Sequence, residues 1–265
     1  MKTYFVDSFT NQPFKGNPAA VCFAQEKLSD EIMQHVATEI GFSETAFVQL
    51  LSTGRYGIRF FTPKKEIPLC GHATLASAKV IFDTTGLNEV VFVNCENVAL
   101  KTSKVNGKIS MQFPVYDTEA IEVPDRMLKA LGIEIAVNTG YNKKNNIILI
   151  EIAEATRLAE LRPDFAALIK SYDGINGVLV TAPSHEPAFD FHYRYFWPWA
   201  GTEEDPVTGA VQTFLTKYWA TKLNKKKLNA FQSSLRTGVM STELHQEHVI
   251  IYGEAVIILE GAFKL

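Results

Sequence analysis

Two stretches of this chain place a glycine and chemistry-bearing side chains just ahead of a helical pattern. The first is Leu69-Cys70-Gly71-His72 and the second is Glu204-Asp205-Pro206-Val207-Thr208-Gly209. A helix N-terminus presents unpaired N–H groups and partial positive charge, so it attracts anions. Glycine lets a ligand come close to the backbone. Two such lead-ins facing each other would cradle a small carboxylate in a cleft between two halves, a common place for small molecules; as plain turns feeding core helices they would do no chemistry. Three titratable groups belong with them. Glu44, in Ser43-Glu44-Thr45-Ala46-Phe47-Val48, stands among apolar neighbours at a helix-to-strand junction. That suits a general acid/base, against the plain reading of a solvated strand-end carboxylate. His72 falls on a first helical turn, where the dipole disfavours the imidazolium and leaves a neutral, hydrogen-bonding ring. Asp205, ahead of Pro206, reads as a helix cap or as an acid. Cys70 reads as an activated thiol or as a small buried residue. No P-loop, GxGxxG, HExxH or serine-nucleophile elbow is spelled anywhere.

The elements that must position these groups are readable in outline. Residues 3–7 and 18–24 read as strands around a loop holding Pro13 and Gly16. Ser29 to Gly41 is a punctuated helix: Ser29 caps it, Asp30 and Glu31 favour its positive end, and Gly41 stops it. Its expected buried stripe is Ile32, Val36, Ala37 and Ile40. Strands follow at 45–51 and 56–61. Then Gly71 to Phe82 forms a helix rich in alanine and serine on several faces, as for a helix packed on all sides. Strands resume at 89–94, 97–103 and 108–113, with Asn106-Gly107 as a type I′ hairpin. The second half reads as a helix from Pro124 to Leu131, strands at 136–141, 146–152, 177–182 and 189–196, helical pieces at 156–161 and 164–171, and a helix from Ala210 to Ala220. Arg236 to Leu265 reads as three strands separated by turns. Each half therefore has many antiparallel strands and one helix behind a glycine-containing lead-in, about 135 residues apart. The expected halves are 1–117 and 118–252, with 253–265 free to return to the first.

Composition narrows the function classes. The chain has 265 residues, 46% hydrophobic, with 26 Lys+Arg against 29 Asp+Glu. That apolar content supports a large core and rules out disorder as the dominant state. No basic excess exists to release phosphate counterions, so no nucleic-acid partner is expected. No run approaches the roughly 20 apolar residues of a membrane span, and the N-terminus lacks a signal-peptide pattern, so a cytoplasmic protein without a membrane partner is expected. Cys22, Cys70 and Cys95 form no CxxC pair and leave an odd count, against a disulfide framework and a structural zinc site. No metal is expected.

At this point the residues resemble a known family, the phenazine-biosynthesis PhzF-like proteins. The resemblance is carried by Gly16-Asn17-Pro18-Ala19-Ala20-Val21, by Ser43 to Val48, and by Arg59-Phe60-Phe61-Thr62-Pro63 running into Glu66-Ile67-Pro68-Leu69-Cys70-Gly71-His72-Ala73-Thr74-Leu75-Ala76-Ser77-Ala78. It continues in Glu204 to Gly209 and in Phe231-Gln232 followed by Arg236. It implies an α+β, diaminopimelate epimerase-like fold: two pseudo-repeated halves, each a curled, mostly antiparallel sheet around a central helix. It further implies a homodimer, a substrate site between the halves, and cofactor-independent isomerase chemistry on a small carboxylate-bearing substrate. In the namesake enzyme a glutamate moves a proton on a dihydro-hydroxyanthranilate, with a histidine and an aspartate assisting. By motif match these roles fall on Glu44, His72 and Asp205. Asn17, Cys70, Gly71, Ala73, Thr208, Gly209 and Ala210 are implied to line the substrate. Two departures stand in this chain: Ala210-Val211-Gln212 replaces the family's Ser-Ala-His, and Gln232-Ser233 replaces Gln-Gly. Serine enters the left-handed region less readily than glycine, so that second loop is expected to differ. The phenazine substrate itself is therefore not carried over.

Two other functions use the same residues. An amino-acid racemase or epimerase would need an acid/base on each face of the carbon. Cys70 could serve one face, but the matching position is Thr208, whose hydroxyl is a poor base. A non-catalytic small-carboxylate-binding protein would keep the lead-ins and lose the proton chemistry.

Overall fold

The computed structural model describes residues 1–265. Chain contacts divide it into two units, Met1–Gln112 with Ile250–Leu265, and Phe113–Val249. The first unit begins with strands β1 (Lys2–Ser8) and β2 (Asn17–Phe23), helix α1 (Asp30–Ile40), strands β3 (Glu44–Ser52), β4 (Arg55–Phe61) and β5 (Glu66–Ile67), and helix α2 (Gly71–Thr85). Strands β6 (Glu89–Val93), β7 (Ala99–Val105) and β8 (Lys108–Pro114) follow. The second unit holds β9 (Glu119–Ala120), α3 (Asp125–Leu131), β10 (Asn138–Asn142), β11 (Ile147–Glu151), α4 (Ala155–Glu160) and α5 (Phe165–Ser171). It continues through β12 (Gly177–Pro183), β13 (Phe191–Trp197), β14 (Thr202–Glu204), α6 (Gln212–Leu223), β15 (Lys227–Gln232) and β16 (Gly238–Leu244). The chain ends in β17 (His248–Gly253) and β18 (Ala255–Ala262).

The two units share one strand topology. In the first, β1–β2 is antiparallel, β2–β3 parallel, β3–β4 antiparallel, β4–β6 parallel and β6–β7 antiparallel. In the second, β10–β11, β11–β12, β12–β13, β13–β15 and β15–β16 repeat that series pair for pair. Parallel neighbours need a crossover connection. Helix α1 supplies it between β2 and β3, and α2 between β4 and β6; α4 with α5, and then α6, do so in the second unit. β18 pairs antiparallel with β1 and closes the first unit's chain back on its own start.

Helix α2 is enclosed rather than laid on a surface. His72 through Ala78, then Val80, Ile81 and Phe82, are all buried, and the helix touches β1, β2, β3, β6, β7 and β18. Small side chains let it sit that close to surrounding backbone. Its internal hydroxyls satisfy themselves locally, Thr74 donating to the Cys70 carbonyl and Ser77 to that of Ala73, both at 2.7 Å. Ser29 caps α1 by accepting from the Ile32 N–H, and Gly41 ends it in the left-handed region at φ 72°. Asn106 and Gly107 both take positive φ, 50° and 82°, as the type I′ turn requires.

Three sequence expectations change. The buried stripe of α1 is Met33, Val36 and Ala37, with Ile32 left 39% exposed; the helix is rotated so that the flexible methionine fills against Phe47 and Phe61. Strand β15 forms where the sequence predicts no strand, because Lys227-Leu228-Asn229-Ala230 carries only half an apolar alternation. Helix α6 begins at Gln212, not at Ala210. Residues 209–211 form a tighter turn, with the N–H groups of Gln212 and Thr213 donating three residues back, to Gly209 and Ala210.

Two glycines of nearly equal φ separate backbone strain from crowding. A Cβ on Gly41 would meet nothing within 4 Å, whereas one on Gly16 would stand 2.1 Å from the Ser8 carbonyl oxygen. Gly41→Ala is expected to cost about 1–2 kcal/mol, and Gly16→Ala roughly 2–4 kcal/mol because the loop must also move. Chemical denaturation of both variants checks the difference.

Candidate functional site

The groups that could move a proton lie together in the first unit. Glu44 is the first residue of β3, and the parallel pairing with β2 sets it opposite Ala19. That register carries its carboxyl inward, where the residue is 6% exposed. His72 lies in the first turn of α2, two residues after the N-cap Cys70. Its Nε2 stands 3.2 Å from Glu44 Oε2, and its Nδ1 stands 3.4 Å from Cys70 Sγ. Ser8 fixes the histidine's backbone by donating its hydroxyl to the His72 carbonyl at 2.8 Å. Burial lowers the proton affinity of His72, and the attraction of Glu44 only partly opposes it. A neutral ring between a carboxylate and a thiol follows. Nε2–H donating to Glu44 leaves Nδ1 as the acceptor facing the thiol.

The N–H groups of Gly71, His72 and Ala73 are first-turn amides with no acceptor inside the helix. Gly71 and Gly209 are absent from the left-handed glycines. Neither is therefore required for a left-handed turn. Asn17 opens β2 opposite Ser8 and is buried. Of the three cysteines, Cys22 is held inert, since burial pushes its thiol up to about 11.

The second cluster lies in the other unit. Thr208 donates its hydroxyl to Asp205 Oδ2 at 2.5 Å. Gln232 braces this loop from both sides: its Oε1 accepts from the Thr208 N–H at 2.7 Å and its Nε2 donates to the Asp205 carbonyl at 2.6 Å. Gly209 and Ala210 form the tight turn into α6. Of the two departures, Gln212 leaves its buried Nε2 without a hydrogen-bond partner. Gln212 is buried and its Oε1 accepts from Thr216 at 2.9 Å. Ser233 has an ordinary φ, while Thr237 takes the left-handed conformation at 57°.

Sequence reasoning missed what holds both lead-ins. Arg59 donates Nε and Nη2 to the two carboxylate oxygens of Glu66 at 2.7 and 2.6 Å. Arg194 does the same to Glu204 at 2.7 and 2.8 Å. Each guanidinium also lies over a phenylalanine two residues on, Phe61 or Phe196. The signal was present: Arg-x-Phe-x-Pro is spelled at 59–63 and at 194–198, and Glu-x-Pro-x-x-Gly at 66–71 and at 204–209. Also missed was His192, buried in the second unit beside a cavity of about 620 Å³ that Arg194, Glu204, Phe231 and Ser233 help line. Its two nitrogens lie 3.2 and 3.3 Å from the hydroxyls of Ser184 and Ser233.

The family model for phenazine biosynthesis-like proteins, PhzC-PhzF, matches residues 6–261. The chain belongs to the PhzC-PhzF family. An uncharacterized isomerase of Halalkalibacterium halodurans is 40% identical over 265 residues, covering 99% of this chain and 98% of that one. The mouse phenazine biosynthesis-like domain-containing protein 1 is 37% identical, covering 97% of each. Among solved structures, a PhzF-family protein of Enterococcus faecalis superposes with a TM-score of 0.93 at 34% identity, covering 100% of this chain and 99% of that one. A predicted epimerase of Pseudomonas aeruginosa shares the fold at TM-score 0.72 and 17% identity, over 99% of this chain and 98% of that one. The expected α+β, epimerase-like fold with a duplicated strand order is therefore the one this PhzC-PhzF member has. No helix of it is long and apolar enough to cross a membrane.

Two stability measurements follow. The Arg194–Glu204 pair is the more enclosed, with side chains 8% and 17% exposed against 28% for both members of the other pair. Arg194→Ala should cost about 3–5 kcal/mol by stranding a buried carboxylate. Arg59→Ala should cost about 1–3 kcal/mol. The second measurement concerns pH. His72 and His192 both have their proton affinity lowered, first by burial, so the unfolded chain binds those protons more readily than the folded one. Their contribution to stability is complete above the ordinary histidine value of about 6.5 and is lost as pH falls below it. Denaturation at pH 8 and at pH 5 should show a smaller loss for His192→Gln than for the unsubstituted protein.

Proposed function

We propose that this protein is a cofactor-independent isomerase that moves a proton on a small carboxylate-bearing substrate, with Glu44 as general acid/base. The observation that carries the reading is the buried Glu44 carboxyl, 3.2 Å from a neutral His72 at the N-terminus of α2. The substrate's carboxylate binds to the first-turn amides of Gly71, His72 and Ala73, where the helix dipole favours negative charge. Glu44 takes a proton from the carbon beside that carboxylate or beside an unsaturated carbon. The charge that develops is stabilised by the same amides, fixed in advance by α2. Glu44, now neutral, returns the proton to another carbon. His72 donates to the carboxylate and holds its orientation while a substrate C–H approaches. Asn17 and Cys70 join these groups in the first unit's binding set, while the assisting role of Asp205 and the binding roles of Thr208, Gly209 and Ala210, in the second unit, rest on the family resemblance alone. Relatives named as isomerases support the reaction class.

A two-base racemase using Cys70 is the second reading. The thiol's 3.4 Å approach to His72 favours it. Thr208 counts against it, because its hydroxyl already donates to Asp205 and offers no base for the opposite face.

Proton exchange decides between these functions. Cyclic and amino carboxylates are incubated with the protein in D₂O and followed by NMR. Incorporation of deuterium at carbon is expected, reduced about 10²–10⁴-fold in Glu44→Gln. Full exchange in that variant rejects Glu44 as the base. Exchange abolished by alkylating Cys70 while Glu44→Gln remains active moves the chemistry to the thiol. A ligand that binds without any exchange identifies a binding protein.

A further inference from the structure

Glu44, Cys70 and His72 have a second property, separate from proton transfer. A carboxylate oxygen, a thiol sulfur and an imidazole nitrogen, from three buried residues, lie within 4.8 Å of one another. Nε2 of His72 is 3.2 Å from Glu44 Oε2 and 3.9 Å from Cys70 Sγ. Ligand atoms held about 2.0–2.3 Å from a tetrahedral zinc ion stand about 3.3–3.8 Å apart. Two of the three separations therefore lie within about 0.1 Å of that range, and the third, no more than 4.8 Å, closes with a shift of at most about 1 Å. Charge points the same way. No lysine or arginine forms an ion pair with Glu44; its only such partner is His72. A divalent ion held by one carboxylate, one thiolate and one neutral imidazole is locally neutral.

We infer that Glu44, Cys70 and His72 form an inhibitory site for a zinc-type transition-metal ion, with the fourth coordination position open. Binding removes the thiol proton from Cys70 to solvent and moves the ring proton of His72 from Nε2 to Nδ1, so one proton is released per ion. Because the ion occupies the carboxylate that serves as the base, metal binding and proton transfer exclude each other. This differs from a structural zinc site, whose four protein ligands close the coordination shell.

The test uses the reduced, full-length protein after treatment with a chelator. Cobalt(II) is titrated in and followed by its thiolate-to-metal charge-transfer absorption. One cobalt per chain is expected, displaced by zinc, with the absorption lost in Cys70→Ser and kept in Cys95→Ser. Zinc affinity should fall at least about 10-fold in Glu44→Gln, since even outer partners of metal ligands are worth that much. Should Cys70→Ser misfold, the unsubstituted protein still answers: zinc should protect Cys70, and not Cys95, from iodoacetamide. Absence of the band, its survival in Cys70→Ser, or alkylation of Cys70 unaffected by zinc each overturns the site. Deuterium exchange in metal-free protein is read separately. Exchange without a cobalt band sinks the metal site alone, and a cobalt band without loss of exchange in Glu44→Gln sinks the assigned base alone.

Discussion

The bidentate pairing of an arginine with a glutamate, made once in each unit, is the constraint on which both lead-ins depend. A guanidinium offers a planar fork that matches a carboxylate in position and in angle. Arg59 sits in the middle of the sheet, on β4, and Glu66 forms β5 at the start of the loop toward α2. Fixing that glutamate sets where Pro68, Cys70 and His72 must follow. Arg59 reaches further, to Asp30 at the start of α1, at 2.6 Å, so one side chain ties a strand, a loop and a helix. Arg194 has a still more enclosed role. Besides Glu204 it donates to the carbonyls of Leu158 and Leu161 at 3.2 and 2.8 Å, supplying partners that the short helix α4 leaves over at its C-terminal end.

The repeat is a scaffold, and the titratable groups of the candidate site lie where the repeat is broken. Arginine, phenylalanine, proline, glutamate, proline and glycine recur in the same order in both units, along with the same strand pairings. Between those fixed points the residues differ. Cys70 corresponds to Thr208 and His72 to Ala210, while Asp205 answers to Ile67. One unit thus carries a thiol and an imidazole, the other a hydroxyl and a carboxyl. Glu44 belongs to the strand before the first arginine's strand, where the other unit's β12 is wholly apolar through Gly177-Val178-Leu179-Val180. A symmetric frame can hold asymmetric acid/base groups because packing and clamping are done by the shared residues. The unshared ones are then free to specialise.

What could be read from the amino-acid order follows the same division. Punctuation was legible wherever one residue sets the backbone: Ser29 and Gly41 around α1, Asn106-Gly107 in its hairpin, Gly71 as the first residue of α2. The all-round small residues of α2 correctly signalled a helix enclosed on every side. The rotation of α1 was not legible, since Ile32 and Met33 are equally apolar and only the Phe47–Phe61 pair across the gap decides between them. β15 was hidden because its identity comes from lying parallel to β13, a long-range fact absent from a local pattern. The candidate site was visible as residue types, but the distances were not. That Cys70 and Glu44 approach opposite nitrogens of one ring depends on β3 lying parallel to β2 beside α2. The clamps were spelled out in the repeat itself, yet arginine and glutamate so often face solvent that their pairing carries meaning only once both are seen indoors.

Burial explains why such a site can be both stable and reactive. Three carbonyls around His72 have a local partner: Ser8 takes that of His72, Thr74 takes that of Cys70, and Ser77 takes that of Ala73. Those carbonyls are thereby satisfied without water, while the first-turn amides of α2 keep no acceptor inside the helix. In a buried site an electrostatic interaction is stronger than in solvent. Glu44 makes its one ion-pair-range contact with His72 rather than with a lysine or arginine. Its carboxyl is therefore not committed to a permanent counter-ion within the chain. Filling the place of His72 with lysine or arginine would make a more comfortable ion pair and remove the reason for anything to bind.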